Sequence, residues 1–104
     1  MKQEIISAYL KRAKKALQNG FDFVPRQKNK EFLLNYGLNE KTLKQAILEL
    51  TLDDYKEGPL EDKDKKGELW VFKISFEGID NIYIKLKVYE VENKEYLKCI
   101  SFHN

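Results

Sequence analysis

Two hydrophobic periods divide this chain. Ile5, Ile6, Tyr9, Leu10, Ala13, Ala16 and Leu17 recur at helical spacing, with Lys11, Arg12, Lys14 and Lys15 falling largely between them. The pattern predicts a first helix from Lys2 to Gln18, stopped by Asn19-Gly20. FDFVP then alternates, with Phe21 and Phe23 on one side and Pro25 closing it, which reads as a short edge strand. NKEFLLNYG reads as a short helix ended by Gly37. Asn39 is a good N-cap for a third helix with Leu43, Ala46, Ile47 and Leu50 as its buried stripe. Thr51–Asp54 has capping-box spacing, predicting one more helical turn that carries Tyr55 and Lys56. EGPLEDKDKKG, Glu57 to Gly67, has no apolar period and is expected to be a long loop.

From Glu68 the period becomes two. ELWVFKISF, a turn over Gly78–Asn81, IYIKLKVYE, a turn around Glu92-Asn93-Lys94, and YLKCISF read as a three-stranded antiparallel meander. Helices first and strands after predict an α+β fold. It should be a single two-layer domain over residues 1–104, with the N-terminal helices packed on one face of a small antiparallel sheet.

Alternation then sorts the side chains. Trp70, Phe72, Ile74 and Phe76 form the apolar set of the first long strand, opposite Leu69, Val71, Lys73 and Ser75. Ile82, Ile84, Leu86 and Val88 do the same for the next, opposite Tyr83, Lys85, Lys87 and Tyr89. In the last strand Ile100 and Phe102 are expected in the core. That parity puts Cys99, Ser101 and His103 on the other face, and leaves Lys98 on core-facing parity near an edge. Lys73, Tyr83, Lys85, Ser101 and His103 can then share one surface, provided the register holds. Tyrosines and lysines on an open antiparallel face are ordinarily its solvated side. The same groups also suit phosphodiester chemistry. Ammonium groups stabilise charge on phosphate oxygens, an imidazole exchanges protons near neutral pH, and a tyrosine stacks on a base.

Composition narrows the choice only slightly. The net charge is +2, but residues 1–50 carry ten Lys/Arg against five Asp/Glu, while the remainder carries nine against twelve. A basic helical half is compatible with nucleic acid or an acidic protein partner. One cysteine and one histidine exclude an intrachain disulfide and multi-thiolate metal sites, so no metal and no cofactor is expected. No apolar run approaches the roughly 20 residues of a membrane span, and the first residues lack a signal-peptide core. A cytoplasmic location with no membrane partner is the expectation.

The order of several short motifs resembles the MqsR family (motility quorum-sensing regulator), mRNA-cleaving toxins of type II toxin–antitoxin pairs. They are a basic opening helix ending in NG, GLNEKTLKQAILELT, DDYKEGP, LW, YIKLKV and CISFH. The resemblance implies a RelE-like fold and an endoribonuclease held inactive by a cognate antitoxin protein. It places functional residues at Lys56, Tyr83, Lys85 and His103. The last is lysine in better-known members, and Val71 stands where they have a polar residue. The combined expectation is a metal-independent mRNA endoribonuclease working by 2′-hydroxyl attack. Catalysis would fall to His103, Lys56, Tyr83 and Lys85, and RNA binding to Lys73, Ser101 and Lys87. The alternatives are an RNA-binding module that does not cut, and a protein-interaction domain whose sheet edge accepts a strand.

Overall fold

The computed structural model describes residues 2–104 and is an α+β arrangement of three helices on a five-stranded mixed sheet. α1 (Gln3–Asn19) buries Ile6, Tyr9, Leu10, Ala13, Ala16 and Leu17, the stripe its sequence period describes. Its cationic side is partly occupied within the chain. Arg12 grips the Glu95 carboxylate with two nitrogens, Nε at 2.9 Å and Nη2 at 2.6 Å, and Lys14 donates to the Leu50 carbonyl at 2.6 Å. α2 (Gln27–Tyr36) ends on Gly37, whose φ of 64° is the left-handed conformation glycine accepts without a Cβ clash. α3 (Glu40–Leu48) starts at Asn39, whose side chain accepts from the Thr42 amide at 3.0 Å.

The sheet order is β1-β5-β4-β3-β2, with β1 (Phe21–Phe23) parallel to β5 (Lys94–His103) and every other pair antiparallel. β1 is the short edge strand its sequence predicts. β3 (Glu68–Phe76), β4 (Ile79–Val91) and β5 form the expected meander. The β3–β4 turn falls on Glu77-Gly78 rather than Gly78–Asn81, and β4 begins at Ile79. Glu77 and Gly78 (φ 53° and 78°), like Glu92 and Asn93 (51° and 67°), hold the paired positive φ of tight right-twisted hairpins.

Two further expectations need correction. The helical turn after Thr51 is a single 3-10 turn, Leu52–Asp54, and Tyr55 and Lys56 already belong to a strand. That strand, β2 (Tyr55–Glu61), occupies half of the stretch expected to be loop and extends the meander from three strands to four. It pairs with β3 at the sheet edge through two register irregularities, at Lys56 and around Gly58-Pro59. Irregular pairing and one solvated side explain why it has no clean alternation.

The second correction is in β5. Lys85 pairs with Ser101 but Leu86 pairs with Cys99, so Ile100 is an extra residue in the ladder. Parity inverts there. Leu97 and Cys99 lie in the main core with Phe102, whereas Ile100 and Lys98 lie on the opposite face beside Lys85 and Lys87. Sequence parity had Ile100 and Lys98 the other way round and Cys99 outside the core. Burial of the Cys99 thiol pushes its pKa up.

Candidate functional site

Strand register turns the open face of the sheet into a grid. One row is Lys73, Tyr83 and His103; the next is Glu57, Val71, Lys85 and Ser101. In the first row the Tyr83 and His103 rings stack, with centroids 5.8 Å apart and planes 20° from parallel. Lys85 Nζ lies 5.9 Å from the Tyr83 ring centroid, within reach of a cation–π contact. Lys73, Asn81, Tyr83 and His103 line an open hollow of about 440 Å³. Tyr83, Lys85, Lys73 and His103 therefore come together as strand parity predicts.

Tyr83 is held protonated. Partial burial raises its pKa first, and the Glu57 carboxylate across the sheet adds to it. It can donate a hydrogen bond to a phosphate or base while its ring offers a stacking face.

Three expected residues stand differently. Ser101 is on the right face but only 4% exposed, so it supports the floor rather than reaching outward. Lys87 is 5% exposed and its ammonium is paired at 2.6 Å with Asp62 from the β2–β3 connection. Lys56 is exposed at the irregular pairing of β2, two strands from Tyr83, and its side chain makes no hydrogen bond or ion pair among the described residues. The structure therefore places it at the margin of the group, not within it.

The position of His103 depends on a residue that sequence reading passed over. Asn29 in α2 is fully buried, and its amide takes the place of a missing strand neighbour. β1 pairs with β5 only as far as Cys99. Beyond that, Asn29 Nδ2 donates to the Ile100 carbonyl at 2.9 Å and to the Val24 carbonyl at 2.9 Å, and its Oδ1 accepts from the Phe102 amide at 3.0 Å. The residue before His103 is thus anchored. α2 also contributes Lys28, Glu31 and Tyr36 to a second hollow of about 440 Å³ that reaches His103 from the other side. The only signal for this in the sequence is an asparagine in helical phase with Phe32, Leu33 and Tyr36.

The open face as a whole is drier than a solvated sheet surface. Val71 is fully buried on it, and Ile100 is 8% exposed. Fold and site together describe an α+β domain with a cationic, partly apolar sheet face ending in an imidazole–tyrosine pair. No protein-family model matches the chain, and no significant similarity to a curated protein or a solved structure was found.

Proposed function

We propose that the open sheet face binds RNA and that the chain is a metal-independent endoribonuclease, the toxin of a type II toxin–antitoxin pair. The carrying observation is the stacked Tyr83–His103 pair between Lys73 and Lys85. RNA brings its own nucleophile. The 2′-hydroxyl oxygen bonds to phosphorus, the bond from phosphorus to the 5′-oxygen breaks, and a 2′,3′-cyclic phosphate and a free 5′-hydroxyl remain. The reaction needs a proton taken from the 2′-hydroxyl and one given to the 5′-oxygen, and His103 is the group suited to exchange one of them. Lys85 and Lys73 stabilise the charge on the phosphate oxygens, and Tyr83 stacks on a base or donates to a phosphate. Lys56 joins as a further support through the family resemblance, which also supplies the antitoxin partner.

The test is cleavage of a long RNA by the purified chain, with fragment ends mapped. Cyclic phosphate ends are expected, and His103→Ala should lower the rate by about 10²–10⁴ with an unchanged circular dichroism spectrum. Lys56→Ala should lower it as well. A His103→Ala/Lys56→Ala double variant that cuts at the parent rate would refute these roles. In cells, induced expression should arrest growth, relieved by co-expressing the neighbouring open reading frame.

Binding without cutting is the rival reading. Val71 favours it, since a buried aliphatic side chain occupies the position where the resemblance expects a polar group. It predicts salt-sensitive RNA affinity with the RNA intact after long incubation.

A further inference from the structure

A second hollow on the sheet is separate from the Tyr83–His103 groove. It has a volume of about 570 Å³ and lies on the same sheet face, between the β2–β3 connection and the segment joining β1 to α2. Its apolar lining comes from Leu69 and Ile100, with Val24 and Leu60. Ile100 faces this side only because of the extra residue in β5. Around the lining stand six cationic side chains against three carboxylates. One of those carboxylates, Asp62, is already matched to Lys87 at 2.6 Å, so Arg26, Lys85 and Lys98 are left facing a site of net positive charge. A solvated sheet surface has no use for two aliphatic side chains held under a ring of cations. A ligand with one flat apolar part and one anionic part fits both halves, and a nucleotide is such a ligand.

Lys85 belongs to both sites. It lines this hollow, and its Nζ lies 5.9 Å from the Tyr83 ring centroid. Along β4 the same-face positions Tyr83, Lys85 and Lys87 follow one another about 6.6–6.8 Å apart, a step that one unit of an extended single strand can span. We infer that the hollow seats the base of the nucleotide adjoining the one stacked on Tyr83 and His103, with Lys85 holding the phosphate between them. This rests on the reading of the face as an RNA surface. It adds that the chain reads at least one base beside the cleavage point, through contact with Leu69 and Ile100.

The test uses 2′-O-methyl RNA pentanucleotides, which lack the nucleophile and stay intact, bound to the full chain and followed by fluorescence anisotropy. A single abasic unit is moved through the oligonucleotide. Two adjacent abasic positions should each weaken binding about tenfold, the lower range of a stacked base. Leu69→Glu should abolish the sensitivity at one of them, and Tyr83→Ala at the other. Leu69→Gln, uncharged and of similar length, serves if the glutamate variant does not fold. Binding that is indifferent to abasic position, or a two-position pattern that both Leu69 variants leave unchanged, overturns the pocket while the RNA reading stands. Failure of the parent chain to bind any of the oligonucleotides overturns both.

Discussion

Replacing Asn29 by alanine tests whether one side chain holds the His103 end of β5. The change deletes three hydrogen bonds at 2.9, 2.9 and 3.0 Å, two of them to the main chain of β5 on either side of Ser101. Each bond contributes about 1 kcal/mol net, so the loss should be about 3 kcal/mol. For a domain of this size that lowers the melting temperature by roughly 12–24 °C. Urea denaturation followed by tryptophan fluorescence measures it directly, Trp70 being the sole reporter. Asn29→Asp sharpens the argument. At neutral pH its carboxylate keeps an acceptor for Phe102 but faces the Val24 and Ile100 carbonyls with no donor. It should be at least as destabilising as alanine. On protonation it regains one O–H donor, so its deficit should shrink in acid. A loss for Asn29→Ala below about 1 kcal/mol, the worth of a single bond, would refute the anchoring role. So would an aspartate variant as stable as the parent at neutral pH.

Three further outcomes follow from other parts of the structure. The Asp62 carboxyl is lowered from 3.8 to about 2, chiefly by its hydrogen bond from Lys87 and then by the amide of Asp64. Its contribution to stability is therefore fully present above the unfolded value and is lost as pH falls through about 2. The amide resonances of Asp64 and Lys65, which donate to Asp62 at 3.0 and 3.2 Å, should titrate with that low midpoint; a midpoint at an ordinary carboxylate value would refute the pairing. Cys99, buried in the core with a raised pKa, should resist iodoacetamide in the native chain and react fully in guanidinium chloride, and rapid native labelling would contradict its placement. Gly58→Ala should destabilise the chain by more than about 1 kcal/mol in urea. Gly58 holds φ +136°, and an added Cβ would come within 3.1 Å of the Leu69 carbonyl and the Trp70 Cα; an unchanged midpoint would show that β2 has another conformation.

The helices were legible because burial on one side imposes a period, and Gly37 and Asn39 mark their ends with residues chosen for backbone reasons. β3 and β4 were legible for the same cause, since each packs one face on the core. β2 was hidden because an irregularly paired edge strand leaves no alternation to read. The parity of β5 failed at Ile100 because an inserted residue carries no side-chain signature of its own. His103 was nevertheless assigned to the correct face, since Phe102 beside it is a core residue past the irregularity. Lys87 was assigned to the correct face but not to its partner, because Asp62 approaches from a connection whose path the sequence does not disclose. Asn29 was missed because its role is to satisfy the main chain of a strand 71 residues away.

The odd residue at Ile100 is dispensable to the ladder. Excise it with the upstream pairing kept, and Cys99 and Ser101 would still meet Leu86 and Lys85, now without interruption. Phe102 would stay inward and the imidazole would stay opposite Tyr83. The casualty would be the neighbouring hollow, which would lose part of its aliphatic floor. A one-residue deletion here therefore separates the two patches, erasing one and sparing the other.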